Sequence, residues 1–276
     1  MRDALRWKPA PAFPGLAPGE VQVFSVSLDD LPLATPVSRL SDDESRRAGS
    51  FYFERDRRRF AATRGVLRGL LGRYLAVDPS ALVFGYGPQG KPALAAPWQG
   101  LRFNVSHSGG LALLAFSADH EIGVDIEQER PVPEMDSIAE RNFSPRESAA
   151  LRVLGDGERG RAFFRCWTRK EAFIKAVGDG LSHPLDAFDV TLAPGEPARL
   201  LRVAGDHEAP ERFLLQGLEP ADGFAAALAV LGRPTRVACY CWDQSLEEMN
   251  GPRRERRQDD LQGGREPRRA VLDLAD

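Results

Sequence analysis

Two long runs of helical periodicity, residues 46–75 and 157–177, are each set among short apolar segments of strand length. That order constrains the fold strongly. An amphipathic helix buries a stripe and a strand buries a face, and a helix laid across a small sheet satisfies both. In the first run Phe60, Val66, Leu67, Leu70, Leu71 and Tyr74 supply the stripe, with arginines on the other faces. Ser41, followed by Asp42, Asp43 and Glu44, marks a helix start, and Asp78-Pro79 ends the run and opens a short helical or turn segment. Residues 21–28 alternate as a half-buried strand, and residues 82–94 have the glycines and prolines of a strand, turn, strand unit. LRFNVSHS and LALLAFS form two strands joined through Gly109 and Gly110, and residues 122–127 form a third apolar strand. The alternation then returns, with helical segments near 134–154 and 157–177 and strands near 186–193, 198–203, 212–218, 224–231 and 235–241. The repeated order predicts an α+β fold with an internal pseudo-repeat, each half a small antiparallel sheet packed with helices.

The halves are expected to span 20–120 and 121–244. Pro9, Pro11, Pro14 and Pro18 make residues 1–19 an extended arm, and residues 245–276, dominated by charge and glycine, are expected to be disordered. No stretch approaches a membrane span, and the proline-rich start lacks the apolar core of a signal peptide. Cys166, Cys239 and Cys241 have spacings that suit neither a disulfide framework nor a CxxC-type zinc site, so a reducing, cytoplasmic setting is expected. A net charge of −3 argues against general attraction to nucleic acid. Arginine supplies nearly all the positive charge, the only lysines being Lys8, Lys91, Lys170 and Lys175. A position kept as lysine in such a chain points to a need for a compact ammonium able to lose its proton.

Four constellations carry chemistry. In IGVDIE, Asp125 and Glu127 stand two apart on a strand and share a face, where two carboxylates call for a cation or a metal. A solvated strand end is the plain alternative. In FFRCWTRKEAFIKAVGDGL, residues 163–181, Trp167, Glu171 and Lys175 follow at i, i+4 on one helix face. Glu171 thus lies on the inward stripe and needs a metal or a cation such as Lys175, unless the two form only an ordinary helix pair. FNVSHSG, residues 103–109, gathers Asn104, Ser106, His107 and Ser108 at a strand end, donors suited to an anion or simply a polar turn. Ser106 and His107, being adjacent, point to opposite faces and make no catalytic dyad. GKP, residues 90–92, sets Lys91 beside the rigid Pro92. A basic stretch, Arg46, Arg47, Arg55, Arg57, Arg58, Arg59, Arg64 and Arg68, offers either a surface for phosphate, an acidic protein or nucleic acid, or a solvated helix face.

Taken in order, GKP, FNVSHSG, GVDIE and WTRKEAFIKAVGDGL resemble the signature series of the Sfp-type 4'-phosphopantetheinyl transferases, over roughly residues 20–242. The resemblance implies a pseudo-dimer of two similar halves with coenzyme A in the cleft between them. It implies Asp125, Glu127 and Glu171 as ligands of Mg2+, Lys175 and Glu171 as catalytic groups, and Lys91, Pro92, Ser106, His107 and Lys175 as the coenzyme A set. Arg47 and Arg59 are the nearest matches to the family's 3'-phosphate residues, although Glu44 stands where the family often has lysine. The implied reaction is attack by a carrier-protein serine on the phosphorus next to pantetheine, releasing 3',5'-ADP, with Glu171 or a metal-bound water as base. The partner would be an acidic acyl or peptidyl carrier protein of fatty-acid, polyketide or nonribosomal peptide synthesis, and the enzyme a monomer. Two other readings remain open. One is a non-catalytic protein that binds coenzyme A or carriers. The other is a metal-dependent nuclease, disfavoured because Glu171 and Lys175 are four apart on a helix.

Overall fold

The computed structural model describes residues 5–12, 15–87, 90–178 and 184–243. The tail expectation for 245–276 and the ends of the two interrupted segments lie outside the described residues. The first half contributes β1 (Trp7–Pro9), β2 (Glu20–Ser27), α1 (Ala34–Ser38), α2 (Asp42–Gly49), α3 (Glu54–Leu75), β3 (Phe84–Tyr86), β4 (Pro92–Leu94), β5 (Arg102–Ser108) and β6 (Leu111–Ser117). The second contributes β7 (Ile122–Gln128), α4 (Met135–Asn142), α5 (Pro145–Arg152), α6 (Asp156–Val177), β8 (Phe188–Val190), β9 (Leu200–Val203), α7 (Ala209–Arg212), β10 (Phe213–Leu218), β11 (Phe224–Leu231) and β12 (Arg236–Cys241).

The halves stack as helix, sheet, sheet, helix. Ala62, Val66, Leu67, Leu70 and Leu71 of α3 pack on Phe24, Val26, Ala112, Leu114 and Phe116 of a five-stranded sheet ordered β1-β12-β2-β6-β5. Its opposite face, with Val21, Val23, Leu113 and Ala115, meets Ile122, Val124, Ile126, Ala226, Leu228 and Val230 of a second sheet ordered β10-β11-β7. The far side of that second sheet carries α6. The expected two helix-on-sheet halves are therefore present, α3 and α6 both running 22 residues.

One strand crosses between halves. β12 leaves the second half and lies parallel to β2, with Cys239 opposite Val23. Seven of the eight residues of β2 are buried, and a buried strand left with an open edge strands its main-chain groups. β6 pairs one edge and β12 covers the other. The 134–154 helical run divides into α4 and α5, because Ser144 caps a new helix with Pro145 at its first position and Glu147 closing a capping box. The 46–75 run likewise breaks at residues 50–53, between α2 and α3.

α6 lies close to its sheet because the residues between them are small. Gly123 of β7 pairs with Ala229, Asp125 with Ala227 and Glu127 with Ala225. A Cβ on Gly123 would sit 2.1 Å from the Ala172 carbonyl oxygen and 2.4 Å from the Ala176 nitrogen. The glycine thus sets strand against helix backbone, and this approach brings the carboxylates of β7 beside Lys175.

Candidate active site

Along β7, Ile122, Val124 and Ile126 enter the core between the sheets, so Asp125 and Glu127 share the other face with Gly123. Asp125 is 4% exposed. Its Oδ1 accepts from Lys175 Nζ at 2.6 Å and from Ser106 Oγ at 2.8 Å, while its Oδ2 is buried without a hydrogen-bond partner. Burial raises the Asp125 pKa against the opposing pull of Lys175. Glu127 accepts from Ser108 Oγ at 2.7 Å, and Arg130 approaches it at 3.5 Å from the rim.

Lys175 also donates to the Val124 carbonyl at 3.3 Å and to Ser106 Oγ at 3.2 Å. Its ion pair is with Asp125, so the helix pair that the spacing allowed with Glu171 is not the one formed. Glu171 sits half-buried one turn back, and burial, then the Asp125 and Glu127 charges, push its pKa up, partly offset by Lys175. Lys175 pairs with Asp125, while Glu127 has the rim guanidinium of Arg130 and Glu171 only the longer-range pull of Lys175. Among the described residues no three His, Cys, Asp or Glu side chains are closed up as a metal cage. The buried Asp125 oxygen without a partner, and the burial that raises the pKa of both Asp125 and Glu171, nevertheless leave the cluster short of positive charge, and an all-oxygen donor set of this kind suits a small hard cation.

The FNVSHSG segment divides between two faces. Asn104, Ser106 and Ser108 turn toward β7, where Asn104 Oδ1 accepts from the Val124 N–H at 2.8 Å and Ser108 Oγ from the Gln128 N–H at 3.1 Å. His107 keeps an exposed edge. Desolvation by its surroundings, reinforced by Lys175 and Arg59, pulls its pKa below the ordinary histidine value. Ser106 and His107 are accordingly not a dyad. At the turn that follows, a Cβ on Gly110 would lie 2.7 Å from Asp29 Oδ2 and 3.7 Å from an Arg59 terminal nitrogen, which places Arg59 at the same end of the sheet.

Arg59 forms a two-pronged pair with Asp29, at 2.8 and 2.6 Å. Arg47 lies over the Phe60 ring at 5.5 Å. Arg64 and Arg68, expected on a basic outer face, are instead 9% and 2% exposed. Both grip the buried carboxylate of Glu44, at 2.7 and 2.5 Å, and both lie over the Phe84 ring. The residue at the position where the family often has lysine is thus the counter-charge of an internal cluster. Lys91, from the loop before β4, donates to the Lys175 carbonyl at 2.6 Å and the Ile122 carbonyl at 3.3 Å. It therefore ties the hairpin of β3 and β4 to both α6 and β7. Pro92 next to it opens β4 opposite Tyr86.

Lys170, adjacent to Glu171, points the other way. Its ammonium is fully buried and has three acceptors, Glu147 at 2.7 Å and the Leu185 and Phe188 carbonyls at 2.7 and 2.6 Å. Three donors meeting three acceptors explain a lysine here better than proton loss does. Beyond Glu127 an apolar cleft opens between Val132, Ile138, Phe163, Phe164 and Trp167.

A half-buried carboxylate, a lysine and a histidine of lowered pKa meet at the seam of two helix-on-sheet halves, a set with the chemistry to hold a charged ligand and move a proton. A family model described as the 4'-phosphopantetheinyl transferase superfamily matches residues 121–229, and one described as the N-terminal region of 4'-phosphopantetheinyl transferase matches residues 30–119. The 4'-phosphopantetheinyl transferase HetI of Nostoc sp. is 43% identical over 230 residues, which is 82% of this chain and 94% of that protein. The 4'-phosphopantetheinyl transferase Sfp of Bacillus subtilis is 34% identical over 156 residues, 56% of this chain and 68% of its own. The solved holo-[acyl-carrier-protein] synthase of Thermotoga maritima aligns with 41% of this chain and 63% of its own, at 26% identity and a TM-score of 0.34. The chain belongs to the 4'-phosphopantetheinyl transferase superfamily and is an enzyme of that class.

Proposed function

We propose that this enzyme moves the 4'-phosphopantetheine group of coenzyme A onto a serine of an apo acyl or peptidyl carrier protein, with magnesium as its metal and 3',5'-ADP as the leaving product. The observation that carries the reading is the unbalanced cluster: three carboxylates against Lys175 and the rim Arg130, and a buried Asp125 oxygen with no partner. Asp125, Glu127 and Glu171 would hold the cation. When bound, magnesium supplies charge neutralisation for the pyrophosphate and for the leaving group.

The other roles fall to the chain itself. Lys175, already in the cluster, would donate to a phosphate oxygen as negative charge builds. His107, kept neutral by its surroundings, would donate to a second phosphate. Arg59 and Arg47 would meet the 3'-phosphate, and Lys91, Pro92 and Ser106 would form the wall beside the nucleotide. Glu171, on the face of α6 that meets the cluster, would take the proton of the incoming serine hydroxyl. The new bond joins that serine oxygen to the phosphorus next to pantetheine as the bridging P–O bond to 3',5'-ADP breaks. The apolar cleft beyond Glu127 would take the pantetheine end.

Two halves in one chain enclose the site without a second subunit, which supports a monomer. The described residues contain no helix long and apolar enough to cross a membrane. The free thiols Cys166, Cys239 and Cys241 suit a reducing, cytoplasmic setting. Intact-mass spectrometry of an apo carrier protein, incubated with coenzyme A and enzyme, tests the reading. A gain of one phosphopantetheine that needs magnesium and is lost in Glu171→Gln is expected. No gain on several carriers, despite binding of coenzyme A, would leave the non-catalytic alternative.

A further inference from the structure

We infer that Asn104, Ser106 and Ser108 form a ladder that positions the carboxylates of β7, and that Ser108 tunes the affinity of the site for its cation through Glu127. β5 and β7 are edge strands of different sheets. The outward N–H groups of Val124, Ile126 and Gln128 therefore have no strand of their own sheet to donate to. They donate instead to side chains of β5: Val124 to Asn104 Oδ1 at 2.8 Å, Ile126 to Ser106 Oγ at 3.4 Å and Gln128 to Ser108 Oγ at 3.1 Å. The period of two on both strands makes the pattern regular, each rung linking a residue to one 20 places on.

The rungs also aim protons. A serine hydroxyl has one proton. Once its oxygen accepts a main-chain N–H, that proton is free for a neighbour on another side, and here the neighbour is the carboxylate one residue earlier on β7. Ser106 donates to Asp125 Oδ1 at 2.8 Å and Ser108 to Glu127 Oε2 at 2.7 Å. Asn104 has no such partner, because Gly123 stands opposite it. Each serine fixes one oxygen of its acid and leaves the other for the cleft, and at Asp125 that other oxygen is the buried, unpartnered one. Side chains that orient a metal ligand in this way commonly set affinity or activity by a factor of about 10–100. Ser108 has no other role in the proposed reaction and touches no candidate nucleotide residue among the contacts described above.

This inference rests on the proposed role of Asp125, Glu127 and Glu171, and the test separates the two. Mn2+ binding followed by electron paramagnetic resonance with coenzyme A present, together with the magnesium dependence of transfer, would be measured for the wild type, Ser108→Ala, Ser108→Thr and Asp125→Asn. We expect Ser108→Ala to weaken Mn2+ binding and raise the half-saturating magnesium concentration by about tenfold. KM for coenzyme A at saturating magnesium should stay within about twofold, and Ser108→Thr should restore the metal affinity by keeping the hydroxyl. Unchanged metal affinity in Ser108→Ala overturns the ladder, whether the loss then appears in KM or only in thermal stability. Mn2+ binding that survives in Asp125→Asn overturns instead the assignment of the carboxylates as its ligands.

Discussion

Each half of the molecule buries a cluster of charge, and the two clusters are balanced differently. In the first half one carboxylate, Glu44, is held by Arg64 and Arg68 and capped by the Ser41 main chain, with Phe84 under both guanidiniums. Both guanidiniums meet that carboxylate, and the positive charge it cannot neutralise is taken up by the Pro79 and Leu82 carbonyls, to which Arg68 donates. In the second half Asp125, Glu127 and Glu171 face Lys175, and an oxygen of Asp125 is left over. A buried ion cluster that closes on itself is part of the framework, whereas one that does not close costs stability until something from outside completes it. Sequence composition does not separate the two, since each sets acids against bases, Glu44 of α2 against Arg64 and Arg68 of α3, and Asp125 of β7 against Lys175 of α6.

The comparison can be broken most sharply by removing one acid from each cluster. Glu44→Ala leaves two guanidiniums uncompensated and should cost about 3–5 kcal/mol in chemical denaturation. Glu171→Gln should leave stability within about 0.5 kcal/mol or raise it, since it removes a charge whose presence the fold disfavours. Transfer should nevertheless fall about 10²–10⁴-fold in single-turnover assays. If Glu171→Gln destabilised the protein as much as Glu44→Ala, the two clusters would be the same kind of object. Gly123→Ala pushes α6 away from β7 and should cost about 1–3 kcal/mol, with activity lost from the molecules that remain folded. Thermal unfolding with a parallel activity assay would check it. The smallest effect belongs to the rim: Arg59→Ala should raise KM for coenzyme A by about tenfold, or about 1.4 kcal/mol, with kcat little changed in steady-state assays.

Local periodicity made most of the framework legible. The β2, β5, β6, β7 and β11 strands and the long α6 helix fall where their patterns place them. Same-face placement of Asp125 with Glu127 follows from the two-residue repeat alone. What the sequence concealed are pairings made across long separations. Arg64 and Arg68 read as part of an outer basic face because their partner Glu44 lies 20 and 24 residues away. The reason for a lysine at position 170 was hidden because its partner Glu147 is on another helix. The break at residues 50–53 carries no proline, so the helical period ran through it. Asn104, Ser106 and Ser108 did leave a trace, a polar residue at every second position of a strand, but their partners are main-chain N–H groups of β7, which every residue but proline possesses.

The claim that the second cluster is completed from outside is tested most directly by calorimetric titration of magnesium into the enzyme with coenzyme A present, for wild type and Asp125→Asn. One magnesium site in the wild type that is lost in the variant is the predicted result. Equal binding by both proteins, or none by either, would contradict it.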